Sequence, residues 1–181
     1  MKNGVKVRPI AADKHMEGMP EGRAMEETYK ILVVDDEPVN LRMMERLLRR
    51  HYEVLTASNG QEALDILRCE NVSLLMSDHR MPGMSGIELL RKSQSINSHI
   101  VCMLVTANTD NDTFTEAINA AGALRVIHKP WDPDIVLQFV KEALAQRETF
   151  LECMHANAEI EQVMNQLKLA TQNLNLFPKR E

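Results

Sequence analysis

Charged residues close three short apolar runs in this chain. Asp35 and Asp36 follow Ile31-Leu32-Val33-Val34, Asp78 follows residues 73–77, and Lys129 follows residues 124–128. Thr106 closes a fourth run, residues 99–105. If these runs lie side by side, three carboxylates, a hydroxyl and an ammonium converge on one edge. Carboxylates that close to one another repel and raise each other's pKa, so the cluster calls for a cation among them. Oxygen donors select a hard divalent ion. Magnesium takes one or two carboxylates, keeps several waters and recruits a phosphate oxygen. Zinc would ask for His or Cys ligands that this set lacks.

The elements that must position these groups follow from periodicity. After Asp35-Asp36-Glu37-Pro38, Leu41, Met44, Leu47 and Leu48 recur at helical spacing, so the opening unit is strand, loop, helix. The unit repeats. Residues 53–57 read as a strand before a helix opened near Asn59-Gly60, with Ala63, Leu64 and Leu67 on its apolar face. Residues 73–77 precede the turn Met81-Pro82-Gly83 and a helix with Ile87, Leu89 and Leu90. Residues 99–105 precede a helix over 114–121, and 124–128 precede one opening near Asp132-Pro133. Five apolar strands alternating with five helices specify the α/β class, a parallel sheet covered on both faces, because parallel neighbours need crossover connections. Ligands of such sheets bind beyond the carboxyl ends of the strands, which is where the charged residues lie.

Composition bounds the partners. With 181 residues, 44% of them apolar and 26% charged, the chain suits one domain and an appendage. A net charge of −5 offers no global attraction for nucleic acid or an anionic membrane, and no direct contact with either is expected. Cys69, Cys102 and Cys153 are far apart and include no CxxC pair, so they read as thiols of a reducing, cytoplasmic compartment. No stretch is long and apolar enough to span a membrane.

The set Val33-Val34-Asp35-Asp36-Glu37, Ser77-Asp78-His79-Arg80-Met81-Pro82-Gly83-Met84-Ser85-Gly86, Thr106-Ala107 and Lys129-Pro130-Trp131 resembles the receiver domain of bacterial two-component response regulators. The resemblance covers about residues 28–147. It implies a flavodoxin-like sheet of order 2-1-3-4-5 and a phosphoryl group received from a sensor histidine kinase or phosphotransfer protein. Asp78 would be the phosphoacceptor. Asp36, Asp78 and the backbone carbonyl of Arg80 would hold Mg²⁺, with Mn²⁺ as a substitute, and Asp35 would act through a water. Thr106 and Lys129 would bind phosphoryl oxygens. These types suit phosphoryl transfer, which rests on positioning and neutralisation of charge around the equatorial oxygens. The chain departs from the family at Val126, where an aromatic commonly stands. That departure predicts a muted response on the face formed by the fourth helix and fifth strand.

Simpler readings apply to several neighbours. His79 is expected to face away from Asp78 beside it, and His128 likewise from Lys129, because adjacent strand residues point oppositely. Trp131 reads as an apolar plug at the start of the last helix. Thr106 can also cap the following helix.

Three segments are expected: a flexible arm over 1–28, the α/β domain over 29–147 and a helical, coiled-coil tail over 148–181. In the tail Leu137, Val140, Leu144, Leu151 and Met154 form one stripe, interrupted by Arg147. Ile160, Val163, Leu167, Ala170, Leu174 and Phe177 form another in a different phase. The change near Cys153 to Ala158 reads as a stutter, a bend or a helix hairpin. Such a helix cannot bury its stripe alone, which favours a homodimer through the tail. The alternatives are a receiver whose output domain lies outside this chain, a metal-dependent α/β phosphatase, and a constitutive coiled-coil adaptor. The leading expectation is a phosphoacceptor regulator rather than an enzyme.

Overall fold

The computed structural model describes residues 29–107 and 123–174. Five parallel strands form one sheet: β1 (Lys30–Val34), β2 (Glu53–Ala57), β3 (Leu74–Asp78), β4 (Val101–Thr106) and β5 (Ala123–His128), in the order β2-β1-β3-β4-β5. The described helices are α1 (Pro38–Leu48), α2 (Gly60–Cys69), α3 (Gly86–Ile96) and α4 (Pro133–Leu174). The helix expected over 114–121 and the arm over 1–28 lie outside the described residues.

Alternation along each strand builds two cores. Leu32, Val34, Leu75, Cys102 and Leu104 face α2 and α3, meeting Ala63, Leu64, Leu67, Ile87, Leu89 and Leu90. Ile31, Val33, Leu74, Met76, Met103 and Val105 face the other way, against Met44 and Leu48 of α1 and Val136, Val140, Ala143 and Leu144 of α4. Nearly every residue of β1 and β3 is buried, as a strand covered on both faces must be.

Local signals start the helices. Pro38 opens α1, where its missing N–H costs nothing. Asn59 caps α2 by accepting from the N–H of Glu62, and Glu62 accepts in return from the N–H and hydroxyl of Ser58, both at 2.7 Å. Those two bonds hold the Glu62 carboxyl below its ordinary pKa. Ser85 caps α3 through the N–H of Glu88. At Gly86 a Cβ would lie 2.1 Å from the carbonyl oxygen of Asp78, so α3 can sit this close to the end of β3 only without a side chain there. Gly83 occupies φ +82°, the left-handed region that favours glycine.

The tail is one uninterrupted helix of 42 residues. The helix is not interrupted near Cys153 to Ala158, and the hairpin expected as one alternative does not form. The physical reason is that no Gly or Pro follows Pro133 before Pro178, so a change of apolar phase alone leaves the backbone helical. The boundary at 147/148 falls inside this helix, where Arg147 donates its Nε–H to the carbonyl of His99 at 3.0 Å and Phe150 meets the His99 ring at a centroid distance of 6.0 Å. Beyond that point Ile160, Val163, Met164, Leu167 and Leu169 are exposed. Burying each such side chain is worth about 1.5–3 kcal/mol.

Two measurements test this packing. Gly86→Ala is expected to lower stability by about 1–3 kcal/mol or more in urea unfolding, because backbone and not a flexible side chain stands in the way. Cys102 is buried beside the Ser93 hydroxyl, and burial pushes its thiol up to about 11. It is expected to resist alkylation until the protein unfolds, whereas exposed Cys69 reacts at once.

Candidate functional site

The parallel registers bring the strand ends level. Val34 pairs with Ser77, Asp78 with Val105, and Thr106 with His128. The next residues along, Asp35 and Lys129, therefore flank Asp78 and Thr106 at the carboxyl edge. Asp35 is 5%, Asp78 8% and Thr106 2% exposed, so all three are withdrawn from bulk water yet border one open cleft. The cleft holds ≈ 400 Å³, and its wall also includes Asp36, Glu37, Asn40, His79 and Arg80.

Charge compensation is direct. The Lys129 ammonium donates to Asp35 Oδ2 at 2.9 Å and to Asp78 Oδ1 at 2.5 Å, bridging the two buried carboxylates. Burial alone would lower the Lys129 pKa, but the bonds and charges of Asp78 and Asp35 outweigh it and hold the ammonium above its ordinary value. The remaining lone pairs are also used. Asp35 Oδ1 accepts from the N–H of Glu37 at 2.9 Å, and the Asn40 amide donates to both Asp35 oxygens. Asp78 Oδ2 accepts from the N–H of Arg80 at 2.6 Å, closing a short turn on its own backbone. The N–H of Lys129 donates to the Thr106 carbonyl at 2.8 Å, and the Lys129–Pro130 bond is cis.

The sequence reading placed three carboxylates together. The structure brings Asp35, Asp78, Thr106 and Lys129 together and leaves Asp36 exposed at the rim, because successive side chains after β1 turn to opposite sides. Among the described residues no group of three His, Cys, Asp or Glu side chains is gathered to hold a metal, and the position between Asp35 and Asp78 belongs to an ammonium. The chemistry of the donors still fits a hard ion: carboxylates and carbonyls line the cleft with no thiol among them. Two carboxylates plus water satisfy magnesium.

His128 is exposed. His79 contributes to the cleft wall rather than turning wholly away, and its Nδ1 is buried with no hydrogen-bond partner. Trp131 packs against the α1/α4 core and walls a niche with Asn40, Met43, Lys129 and Pro130. Val126 is half-buried against the core under α2 and α3. Asn40 was not foreseen. Its only signal is an amide one turn into the helix after the acidic pair, a position that reaches back over the helix start.

Similar proteins sharpen these features. The chain is 35% identical over 114 residues to the hydrogenase transcriptional regulatory protein HoxA of Cupriavidus necator, covering 63% of this chain and 24% of that one. It thus spans about a quarter of the HoxA proteins it matches. It is 35% identical over 116 residues to sporulation initiation phosphotransferase F of Bacillus subtilis, covering 64% of this chain and 93% of that protein. A CheY-like receiver domain from Methanospirillum hungatei superposes with a TM-score of 0.65 at 31% identity, over 68% of this chain and 98% of that one. No helix among the described residues is long and apolar enough to cross a membrane. Residues 31–141 match the response regulator receiver domain, and with its sheet order and its acidic corner on the page the chain belongs to that family of two-component receiver domains.

Proposed function

We propose that this chain is a phosphorylation-operated switch of a two-component relay, with Asp78 as the acceptor and a histidine kinase or phosphotransfer protein as the donor. One observation carries the reading: a buried carboxylate opens on a cleft while its charge is met by a lysine ammonium rather than by fixed dipoles alone. An Asp78 oxygen attacks phosphorus, the P–N bond to the donor imidazole breaks, and the imidazole takes up a proton. Asp36, Asp78 and the backbone carbonyl of Arg80 would hold Mg²⁺, with Asp35 acting through a water. When bound, that ion neutralises charge on the phosphoryl oxygens.

The chain's own part is to position and then to rearrange. Asp35 and Asn40 fix the start of α1, and the Arg80 N–H orients Asp78. An esterified Asp78 presents new anionic oxygens, and Lys129 then exchanges part of its Asp35–Asp78 bridge for one of them. Its N–H bond to the Thr106 carbonyl couples that motion to β4, where the Thr106 hydroxyl would bind a second oxygen. With Val126 in place of an aromatic, little space is traded on the β4–β5 face. The output runs through α4, by self-association of two chains. A second reading has its own support: relatives such as HoxA and ZraR of Klebsiella oxytoca are about four times longer than the matched segment, so the receiver acts within a larger regulator of the cytoplasm.

Treatment with a small acyl phosphate and Mg²⁺ is expected to give a phosphoryl adduct by mass spectrometry. Chelation of the metal or Asp78→Asn abolishes it without loss of fold, and an adduct that survives Asp78→Asn reassigns the acceptor. Lys129→Ala retains some labelling but uncouples it from amide shifts along β4 and β5. The Lys129 bridge also sets a pH window. Its folded pKa lies above the ordinary 10.5, so the native state keeps a proton that the unfolded chain releases. The stabilisation is complete below pH 10.5 and is lost as pH rises through the folded value. Lys129→Met is therefore expected to cost about 1–3 kcal/mol at pH 7, the deficit closing above pH 10.5 in urea titrations.

A further inference from the structure

Every described side chain from Glu152 to Thr171 is exposed, with Ile160 at 60%, Val163 at 53% and Leu167 at 57%. In phase with these three, Cys153, Ala156, Ala170 and Leu174 complete a 3-4 spacing. Residues 153–174 thus hold three heptads with Cys153, Ile160, Leu167 and Leu174 at one core position and Ala156, Val163 and Ala170 at the other. The stripe that docks the base of α4 on the receiver, Val136, Val140, Ala143 and Leu144, is in another phase. The distal seam is therefore aimed away from its own sheet.

We infer that this seam is covered by the same seam of a second copy running antiparallel, with Ile160 opposite Val163 of the other chain. The inference rests on the reading that α4 self-associates, and deepens it. Two independent features set the direction. The first is layer size. A parallel, in-register pair stacks Ala on Ala at 156 and 170 and Ile on Ile or Leu on Leu at 160 and 167, which pinches and swells the core in turn. The antiparallel pair sets Ala156 on Leu167 and Ile160 on Val163, so that no layer stacks Ala on Ala or Leu on Leu and only the end layer, Cys153 on Ala170, is narrow. Parallel dimers favour β-branched residues at the first core position with Leu at the second, and here the second holds only Ala and Val.

The second feature is charge. Residues 148–161 carry Glu148, Glu152, Glu159 and Glu161 with no Lys or Arg, whereas 162–174 carry Lys168 alone. Parallel chains would set four glutamates beside four. Antiparallel chains set each acidic half against a half that is basic by one charge. The positions flanking the seam, Glu152, Asn157, Glu159, Met164, Gln166, Thr171 and Asn173, hold two charges of one sign, so no salt-bridge code overrides this preference. Self-complementarity of unlike halves is what a two-fold axis between residues 161 and 162 needs, and it makes a second copy the fitting occupant.

The consequence is geometric. Cys153 faces Ala170 of the second copy, while the two Cys153 residues stand about 25 Å apart, 17 residues of helical rise. A disulfide needs Cα atoms within about 7 Å. The test uses the full chain carrying Cys69→Ser, with Cys102 buried. Copper–phenanthroline in air oxidises the thiols. Each bridge removes two protons and two electrons from a thiol pair, and dioxygen accepts them. Sedimentation of the reduced chain is expected to give a dimer, and oxidation to leave it uncrosslinked. Adding Ala170→Cys is expected to preserve the reduced dimer and raise covalent dimer at least tenfold, through bridges between position 170 and Cys153. Efficient crosslinking through Cys153 alone overturns the antiparallel pairing in favour of a parallel one. A dimer that crosslinks in neither chain also overturns this register. A monomer in sedimentation overturns the self-association reading itself.

Discussion

A single ammonium holds the acidic corner together. Two carboxylates, each less than a tenth exposed, stand within hydrogen-bonding reach of Lys129 Nζ, which supplies the positive charge between them. A cation on a flexible stem has a property that a backbone dipole lacks: it can be redistributed among neighbours without unfolding anything. Asn40, the Glu37 N–H and the Arg80 N–H share the remaining oxygens, so each carboxylate keeps its orientation whatever the ammonium does.

The sheet makes that arrangement possible. Parallel strands in the order β2-β1-β3-β4-β5 put the ends of β1, β3, β4 and β5 in one row, and β2, which carries no chemistry, at the far edge. The row is useful only because α3 approaches closely enough to brace the end of β3, a distance set by the missing side chain at Gly86. Below the row, two apolar layers separated by strand alternation fix β1 and β3 from both sides. The polar corner is small, and the whole α/β framework bears on its geometry.

Most of this was legible in the residues. Apolar runs that stop abruptly at Asp35, Asp78, Thr106 and Lys129 mark strand ends, and strand ends in a parallel sheet are neighbours. What stayed hidden depends on side-chain direction and distance. Asp36 follows Asp35 in sequence but turns to the rim, and adjacency in a list of residues does not distinguish the two. Asn40 enters through the phase of α1 relative to its own loop, which no motif encodes. The tail stayed open for a different reason. Its apolar stripe changes phase near Cys153, which fits a stutter, a bend or a hairpin alike, and it is the lack of Gly and Pro in the backbone that leaves the helix unbroken there.

That unbroken backbone gives α4 a mechanical role. Its first turns pack beside Trp131, adjoining the Lys129 corner, while Arg147 and Phe150 pin it to the carbonyl and ring of His99 at the opposite end of the sheet. Forty-two residues span about 63 Å, so a tilt of about 5° at the base swings the far tip by about 5 Å. A small tilt at the base of α4 would thereby be magnified along a helix that no Gly or Pro interrupts.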